Sequence, residues 1–262
     1  MKGILMAGGS GSRLSPVTDV VNKHLLPIYD RPMAFYPLST LVSAGIRDIL
    51  VISTTEDTPL YSKLLGNGED IGVSIKYAPQ PSPDGIAQAF IIAEDFIGDE
   101  PVTLILGDNV FTGKEVVNKL KHVIENIADG AAIFGFPVKD PERFGVAEID
   151  VDGKLVSIVE KPDVPPSNIA VAGLYVYGSG VSKRARSLVP SERGELEITD
   201  LNSMYLEEGL MELFILGEDC HWLDTGTHET LFEASKHVRQ LAFSGKSDIS
   251  PWDNLAEESQ PK

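Results

Sequence analysis

The feature that most constrains this fold is a regular alternation of two hydrophobic patterns along the chain. Five short, mostly apolar runs have the length of β-strands and are bounded by glycine, proline or charged residues. They occupy residues 3–7, 48–53, 74–78, 102–106 and 131–137. Stretches with apolar residues at helical spacing lie between them, at residues 33–44, 60–65, 85–96 and 114–128. The alternation predicts an α/β fold with a mixed, mostly parallel sheet flanked by helices.

The pattern changes after residue 137. Two short strand patterns with Asp152-Gly153 between them predict a β-hairpin. A further strand and three helices are expected after it. These elements are predicted at residues 145–149, 155–159, 171–177, 181–188, 199–207 and 227–241. Because no long linker interrupts the chain, we expect a single domain over residues 1–245, built from two merged halves (1–130 and 131–245), and a polar acidic tail over 246–262.

The charge excludes some classes of partner. The chain has 22 basic and 39 acidic residues and a formal net charge of −17. Nucleic acids and anionic membranes require positive surfaces, so neither is an expected partner. The charge is also uneven, because residues 1–31 have four basic and two acidic residues, whereas residues 190–219 have one basic and nine acidic.

Cysteine and histidine usage argues against a disulfide or a transition-metal site. Cys220 is the sole cysteine, and the five histidines lack the spacing of metal ligands. We expect neither a membrane-spanning helix, since no run of 18 apolar residues occurs, nor a signal peptide. These features fit a cytoplasmic protein.

A glycine-rich loop directly follows the first predicted strand. Its residues are Gly8, Gly9, Gly11, Ser12 and Arg13. Such a loop can present backbone N–H groups to phosphate oxygens, and an arginine within it can bind them in a bidentate manner. Leu14 stands where the dinucleotide fingerprint requires glycine, which disfavours a nicotinamide-dependent oxidoreductase, and no P-loop pattern follows. A lone glycine-rich loop can also be a plain structural turn.

Further motifs, which follow the loop in a fixed order, indicate what kind of site the loop belongs to. The glycine loop followed by Lys23-x-Leu25-Leu26-Pro27 resembles the sugar-phosphate nucleotidyltransferases. Additional matches resemble the short-chain members that act on glucose 1-phosphate and dTTP; they lie at residues 80–89, 106–109, 140–146, 160–162, 193–200 and 222–227. The resemblance extends from residue 1 to about residue 241 and implies a Rossmann-like nucleotide-binding half (about 1–130) and a sugar-binding half (about 131–245).

The resemblance also implies a reaction. It is the Mg²⁺-dependent joining of dTTP and α-D-glucose 1-phosphate to give dTDP-glucose and pyrophosphate. The product would feed deoxysugar synthesis for cell-surface polysaccharide or glycosylated metabolites. A phosphate oxygen is the nucleophile and is already anionic at neutral pH, so no general base is needed. The resemblance further implies a homo-oligomer, a dimer or a tetramer. Two alternatives remain. The chain could catalyse the same reaction with UTP or another hexose 1-phosphate, or it could be a non-catalytic sugar-nucleotide sensor.

By this resemblance, one set of residues binds the nucleotide and the metal. The loop backbone would hold the triphosphate, Arg13 the leaving pyrophosphate and Lys23 the α-phosphate region. Gln80 would face the base, and Gly85 would let the backbone approach it. The implied nucleotide contacts are Gly8, Gly9, Gly11, Ser12, Arg13, Gln80, Gly85 and Asp108, and the implied metal ligands are Asp108 and Asp224. Taken alone, either aspartate is also typical of a turn or a helix cap.

A second set would bind the sugar phosphate. Lys161 would pair with its phosphate, and Gly145, Glu160 and Val171 would contact the sugar ring. Arg13, Lys23 and Lys161 are thus the implied catalytic cations. Trp222 is more typical of a core residue than of a ligand platform.

Two departures from the long-chain members are visible. His24 stands where many of them have glutamine, whereas short-chain members also have histidine. The sequence ends soon after the last predicted helix, so we do not expect the extra C-terminal helices that carry tetramer contacts and a regulatory nucleotide site in the long form.

Overall fold

The computed structural model of the protein describes residues 1–9, 11–217 and 219–244, and the predicted tail lies outside them. The strands are β1 Lys2–Ala7, β2 Pro27–Ile28, β3 Arg31–Pro32, β4 Asp48–Thr54, β5 Ser74–Gln80, β6 Val102–Leu106, β7 Asn109–Thr112, β8 Ala131–Pro137, β9 Gly145–Ile149, β10 Leu155–Glu160, β11 Ile169–Tyr177, β12 Met211–Ile215 and β13 His221–Asp224. The helices are α1 Phe35–Ser43, α2 Thr58–Leu65, α3 Gln88–Ile92, α4 Glu94–Ile97, α5 Lys114–Asn126, α6 Val181–Arg186, α7 Ile198–Glu207 and α8 His228–Phe243.

Four strands from the first part of the chain form the parallel section of the sheet, in the order β6-β1-β4-β5. The central strand β1 pairs with neighbours on both sides, so that Leu5 lies beside Val51 on one side and Ile105 on the other. Its residues from Gly3 to Ala7 are all buried. A continuous apolar run suits a strand that is covered on both faces, which is the pattern seen in the sequence.

The second part of the chain extends the same sheet rather than forming another one. Strand β11 is buried along its whole length and runs antiparallel to β6, β8 and β9. The hairpin β9–β10 continues the sheet on one side, and β12 pairs in parallel with β8 on the other. A nine-stranded mixed sheet therefore joins the two halves and confirms the predicted α/β class.

The two faces of the sheet carry separate hydrophobic cores. Ile4 and Met6 point into one core, which includes Phe90 of α3 and Leu201 of α7. The alternate residues of β1 point into the other core, which is covered by α1 and α5. A smaller apolar cluster lies beneath α8. Helices thus cover both faces, as the alternation of patterns predicts. No helix in the described residues is long and apolar enough to span a membrane.

Some elements differ from the sequence prediction. The helix expected at residues 85–96 is two short helices, α3 and α4, which are interrupted at Ala93. Four short strands, β2, β3, β7 and β13, form small antiparallel pairs that no pattern indicates. Strand β12 was also not predicted, because its residues are only partly buried or exposed and its pairing with β8 joins distant segments.

Candidate active site

A cleft of about 720 Å³ lies at the carboxyl ends of β1, β5 and β6, and residues from the second half of the chain form its other wall. Open α/β sheets bind their ligands at this edge. Almost every residue that the sequence places in the site lines this cleft: Gly8, Gly9, Ser12, Arg13, Lys23, Gln80, Gly85, Asp108, Gly145, Glu160, Lys161, Val171 and Asp224. The sequence therefore identified positions that the fold brings together from both halves.

Gly11 is the exception, since it does not line the cleft. Its φ of 62° lies in the left-handed region, and a Cβ there would come within 2.9 Å of the Thr18 Cγ2 atom. The Thr18 hydroxyl donates to the Gly11 carbonyl at 2.8 Å. Gly11 thus shapes the loop, and the short 3₁₀ turn that follows it presents Ser12 and Arg13 to the cleft.

Lys23 and Asp108 form an ion pair on the cleft floor. The Nζ atom of Lys23 lies 2.5 Å from Oδ2 of Asp108, and both side chains are largely buried. Burial by itself would raise the pKa of Asp108, but the nearby Lys23 ammonium and the hydrogen bonds from Lys23 and Asn109 together hold that pKa well below its ordinary value. Asp108 is therefore an anion at neutral pH, with a cation already beside it.

A buried hydrogen-bond network fixes the turn that carries Lys23. The Oδ1 atom of Asn22 accepts hydrogen bonds from the His24 backbone N–H at 3.0 Å and from the Tyr61 hydroxyl at 2.9 Å. The Nδ2 atom of Asn22 donates to Asp57 at 2.7 Å. Since all these partners belong to the fold rather than to a ligand, Lys23 is positioned before any substrate arrives.

His24 is buried next to this pair and is uncharged. Burial, assisted by the Lys23 charge, lowers the pKa of His24 to about 3. Its Nδ1 atom lies 3.1 Å from Oδ1 of Asn22, which can only accept, so Nδ1 carries the proton. A neutral, fully buried imidazole is not suited to proton transfer at neutral pH.

Asp108 and Asp224 are carried to the same place by different strands. The Asn109 amide donates to Oδ1 of Asp108 at 2.9 Å, and the Thr225 hydroxyl donates to the Asp108 carbonyl at 2.8 Å. These bonds tie the ends of β6 and β13 together. Burial and the Asp108 charge raise the pKa of Asp224, while the guanidinium of Arg143, 3.0 Å away, opposes the rise.

Two largely buried carboxylates that line one cleft fit a hard divalent cation. Mg²⁺ is usually held by one or two carboxylates together with substrate phosphates and waters. Across residues 1–9, 11–217 and 219–244, no three His, Cys, Asp or Glu side chains converge as a metal-binding group. The donor set of Asp108 and Asp224 therefore suits a cation that is completed by its substrate.

The opposite wall centres on Glu160. Its Oε2 atom accepts a hydrogen bond from the Thr199 hydroxyl at 2.7 Å, and its Oε1 atom lies 3.1 Å from Nζ of Lys161. Lys161 has a φ of 41°, a left-handed conformation that costs a non-glycine residue about 1–3 kcal/mol. Its backbone N–H donates to the Phe144 carbonyl at 2.9 Å, which holds this conformation in place. Such strain is typical of functional positions.

The residues predicted to face the base line the cleft near the start of the glycine loop. Gln80 ends β5 and is buried. Gly85 has a φ of 101°, and a Cβ there would lie only 2.4 Å from the Leu196 carbonyl oxygen. Gly85 is thus required by the packing of two backbone segments, besides lining the cleft.

Several cleft residues were not assigned a role from the sequence. Arg143, Arg193 and Thr199 all lie within the quoted motifs, so motif membership was the signal that could have found them. Trp222 lines the cleft as well as packing against the core, and its indole N–H donates to Oδ1 of Asn109 at 2.6 Å. The hydrogen bond from Trp222 to Asn109 keeps the Asn109 NH₂ group directed at Asp108.

Comparison with known proteins places this cleft in a family. The chain is 56% identical to the glucose-1-phosphate thymidylyltransferase of Neisseria meningitidis serogroup A / serotype 4A over 92% of its length and 83% of that protein. It is 48% identical to the enzyme of the same name from Mycobacterium tuberculosis, with the same coverage.

Solved structures agree with this result. A Bacillus anthracis structure, described as a glucose-1-phosphate thymidylyltransferase in complex with sucrose, matches with a TM-score of 0.85 and 42% identity over 91% of this chain and 95% of that one. A UDP-glucose pyrophosphorylase complexed with UDP-glucose matches with a TM-score of 0.80 at 22% identity, over 91% of this chain and 98% of that one, and so shares the fold. Residues 2–240 match the family described as nucleotidyl transferase. The chain therefore belongs to the nucleotidyl transferase family.

Proposed function

We propose that this chain joins dTTP to α-D-glucose 1-phosphate, forming dTDP-glucose and releasing pyrophosphate. The observation that carries the proposal is the cleft at the carboxyl edge of a parallel sheet, whose lining brings Arg13, Lys23 and Lys161 together with Asp108 and Asp224. The names of relatives at 48% and 56% identity support the choice of dTTP and glucose 1-phosphate.

The chemistry requires charge neutralisation rather than a base. The phosphate of the sugar phosphate has a second pKa of about 6, so the attacking oxygen is already deprotonated at neutral pH. It attacks the α-phosphorus in line, and the bond between the α-phosphorus and the bridging oxygen breaks as pyrophosphate leaves. Two anions must approach each other, so the main contribution of the protein is to orient them and to supply positive charge.

Three cations serve three parts of this reaction. The backbone N–H groups of the loop around Gly9 and Ser12 bind the triphosphate, and Arg13 neutralises the departing pyrophosphate. Lys23 lies near the α-phosphate, held by Asp108 at 2.5 Å. Lys161, beside Glu160, binds the phosphate of the sugar. Each of these side chains lines the cleft.

The two carboxylates would hold the metal ion. Members of this family use a divalent metal, and we propose Mg²⁺ bound by Asp108 and Asp224. When bound, the ion neutralises charge on the phosphate oxygens. Asn109 and Thr225 support this site from behind, because they fix Asp108 by hydrogen bonds to its carboxylate and its carbonyl.

The sugar ring would lie against the wall formed by Gly145, Glu160 and Val171. Glu160 can accept hydrogen bonds from ring hydroxyls, because Thr199 and Lys161 fix its carboxylate. We assign nucleotide binding to residues 1–130 and sugar-phosphate binding to residues 131–245. We further propose that the chain acts in the cytoplasm and as a homo-oligomer.

Measurement of pyrophosphate release tests the proposal. The purified chain is incubated with Mg²⁺ and each combination of dTTP, UTP, dCTP and dATP with glucose, galactose and mannose 1-phosphates. We expect the fastest release with dTTP and glucose 1-phosphate. A higher rate with UTP or with another hexose 1-phosphate would make that compound the preferred substrate. Absence of release from every pair would favour a sugar-nucleotide sensor.

A further inference from the structure

A chain of three hydrogen-bonded side chains lies behind the base end of the cleft. The Nε2 atom of Gln80 donates to Oε1 of Gln88 at 2.7 Å. The Nε2 atom of Gln88 in turn donates to Oδ2 of Asp84 at 2.8 Å, and the Ser82 hydroxyl donates to the same oxygen. The chain therefore runs from a carboxylate, through one amide, to a second amide that lines the cleft.

The Asp84 carboxylate sets the donor-to-acceptor direction of this series of hydrogen bonds. An ionised Asp84 can only accept hydrogen bonds, so the Gln88 amide must present its NH₂ group to it. The Gln88 carbonyl then faces Gln80, and Gln80 must offer its own NH₂ group in return. A reversed Gln80 would place two carbonyl oxygens against each other, which is unfavourable in a buried site.

The Gln80 carbonyl is consequently directed away from Gln88 and towards the glycine loop. A Cβ added to Gly8 would lie only 2.3 Å from Oε1 of Gln80, so this oxygen rests directly against the start of the loop. Gln80 is 6% exposed, and among the described residues no hydrogen-bond donor pairs with its Oε1 atom, which is not fully buried. A carbonyl oxygen in a cleft-lining side chain with no partner in the protein is suited to accept a hydrogen bond from a ligand.

We propose that Asp84 and Gln88 are positioning residues that set the base preference by holding Gln80 as an acceptor. The inference rests on the proposed function, since it requires a pyrimidine nucleotide at this end of the cleft. Thymine and uracil have a donor N3–H that matches the Gln80 carbonyl. Cytosine has an unprotonated N3 acceptor there, so its lone pair would face another lone pair.

Substitutions at Gln88 test the direction of the hydrogen bonds that link Gln80, Gln88 and Asp84. Gln88→Lys places a donor opposite Gln80 and can pair with Asp84, so Gln80 should reverse and present its NH₂ group to the base. Gln88→Met removes both hydrogen bonds at similar side-chain volume. Ser82→Ala removes only the hydroxyl that donates to Asp84, leaves Gln88 and its carbonyl in place, and is the conservative control.

The readout is the ratio of the dissociation constants for dTTP and dCTP, measured by calorimetry without sugar phosphate so that no turnover occurs. We expect the preference of the native chain for dTTP to fall about tenfold or more in Gln88→Met and to reverse towards dCTP in Gln88→Lys. Ser82→Ala should retain the native preference. A merely structural effect would weaken both nucleotides together and leave the ratio unchanged.

The two hypotheses fail in different ways. If the native chain prefers dTTP and the ratio is the same in Gln88→Lys and Gln88→Met, the positioning role is overturned and the proposed function stands. If the native chain binds neither nucleotide, the proposed function itself is overturned. Circular dichroism identifies a variant that has not folded, and the remaining substitution then decides the question.

Discussion

Arg143 occupies the place at which a cation must neutralise Asp224. Its Nη2 atom lies 3.0 Å from Asp224, while its Nη1 atom pairs with Asp140 at 2.6 Å. Burial and Asp108 raise the pKa of Asp224, and the guanidinium acts against this rise. A metal ion that binds Asp224 must therefore compete with Arg143 for the same carboxylate.

Replacement of Arg143 by Gln should strengthen metal binding. The substitution removes the competing charge but keeps a polar side chain, so we expect the dissociation constant for Mn²⁺ to fall about three- to tenfold, as for the loss of a partly buried ion pair. Titration of bound and free Mn²⁺ by electron paramagnetic resonance measures this without turnover. Arg193→Gln is the matched control, because Arg193 lines the same cleft but pairs with Glu197 rather than with Asp224. Unchanged or weaker Mn²⁺ binding in Arg143→Gln would contradict the competition.

At the residue scale, the sequence could identify the charged groups but not their partners. Asp108 and Asp224 stand out because each lies in a distinct motif. Their partners, Lys23 and Arg143, are 85 and 81 positions away along the chain. No local pattern encodes such a distance, since it depends on where the fold places the ends of β6 and β13.

At the element scale, the buried parallel strands were predictable because burial on both faces leaves a continuous apolar run. Strands β7 and β13 were not, because they are four residues long and pair only with each other. The start of α3 was also misplaced. It begins at Gln88 because the chain around Gly85 pairs with the backbone of Leu196, and that partner lies more than 100 residues away.

Gly85→Ala should therefore destabilise the fold more than alanine substitution at an ordinary left-handed glycine does. Both the φ of 101° and the 2.4 Å approach of the Leu196 oxygen oppose a Cβ, so we expect a loss of at least about 2 kcal/mol in the free energy of unfolding. Gly153→Ala is the control. It has a φ of 80° but no atom near its Cβ, and should cost only about 1–2 kcal/mol. Urea denaturation compares the two, and equal losses would mean that the contact with Leu196 contributes nothing.

At the scale of the whole molecule, the net charge of −17 and the anionic substrates stand in apparent conflict. The cleft does not resolve it through an excess of basic residues. Among the residues that the structure describes, five cations and five anions line it: Arg13, Lys23, Arg143, Lys161 and Arg193 against Asp108, Glu160, Glu195, Glu197 and Asp224. Because His24 is neutral, the positive and negative charges of these residues cancel. The excess positive charge needed to bind a triphosphate must therefore come from elsewhere.

Removal of divalent metal should for this reason weaken nucleotide binding itself and not only catalysis. In EDTA, a triphosphate would enter a cleft of balanced charge in a protein that repels it at long range, so we expect the dissociation constant for dTTP to rise about tenfold or more relative to Mg²⁺. Calorimetry in the two buffers measures the change. Thymidine is the control, because it carries the same base without phosphates and its affinity should not depend on the metal. Equal affinities for dTTP with and without Mg²⁺ would show that Arg13, Lys23 and the loop backbone suffice, and that the pairing of charges within the cleft opens when the nucleotide binds.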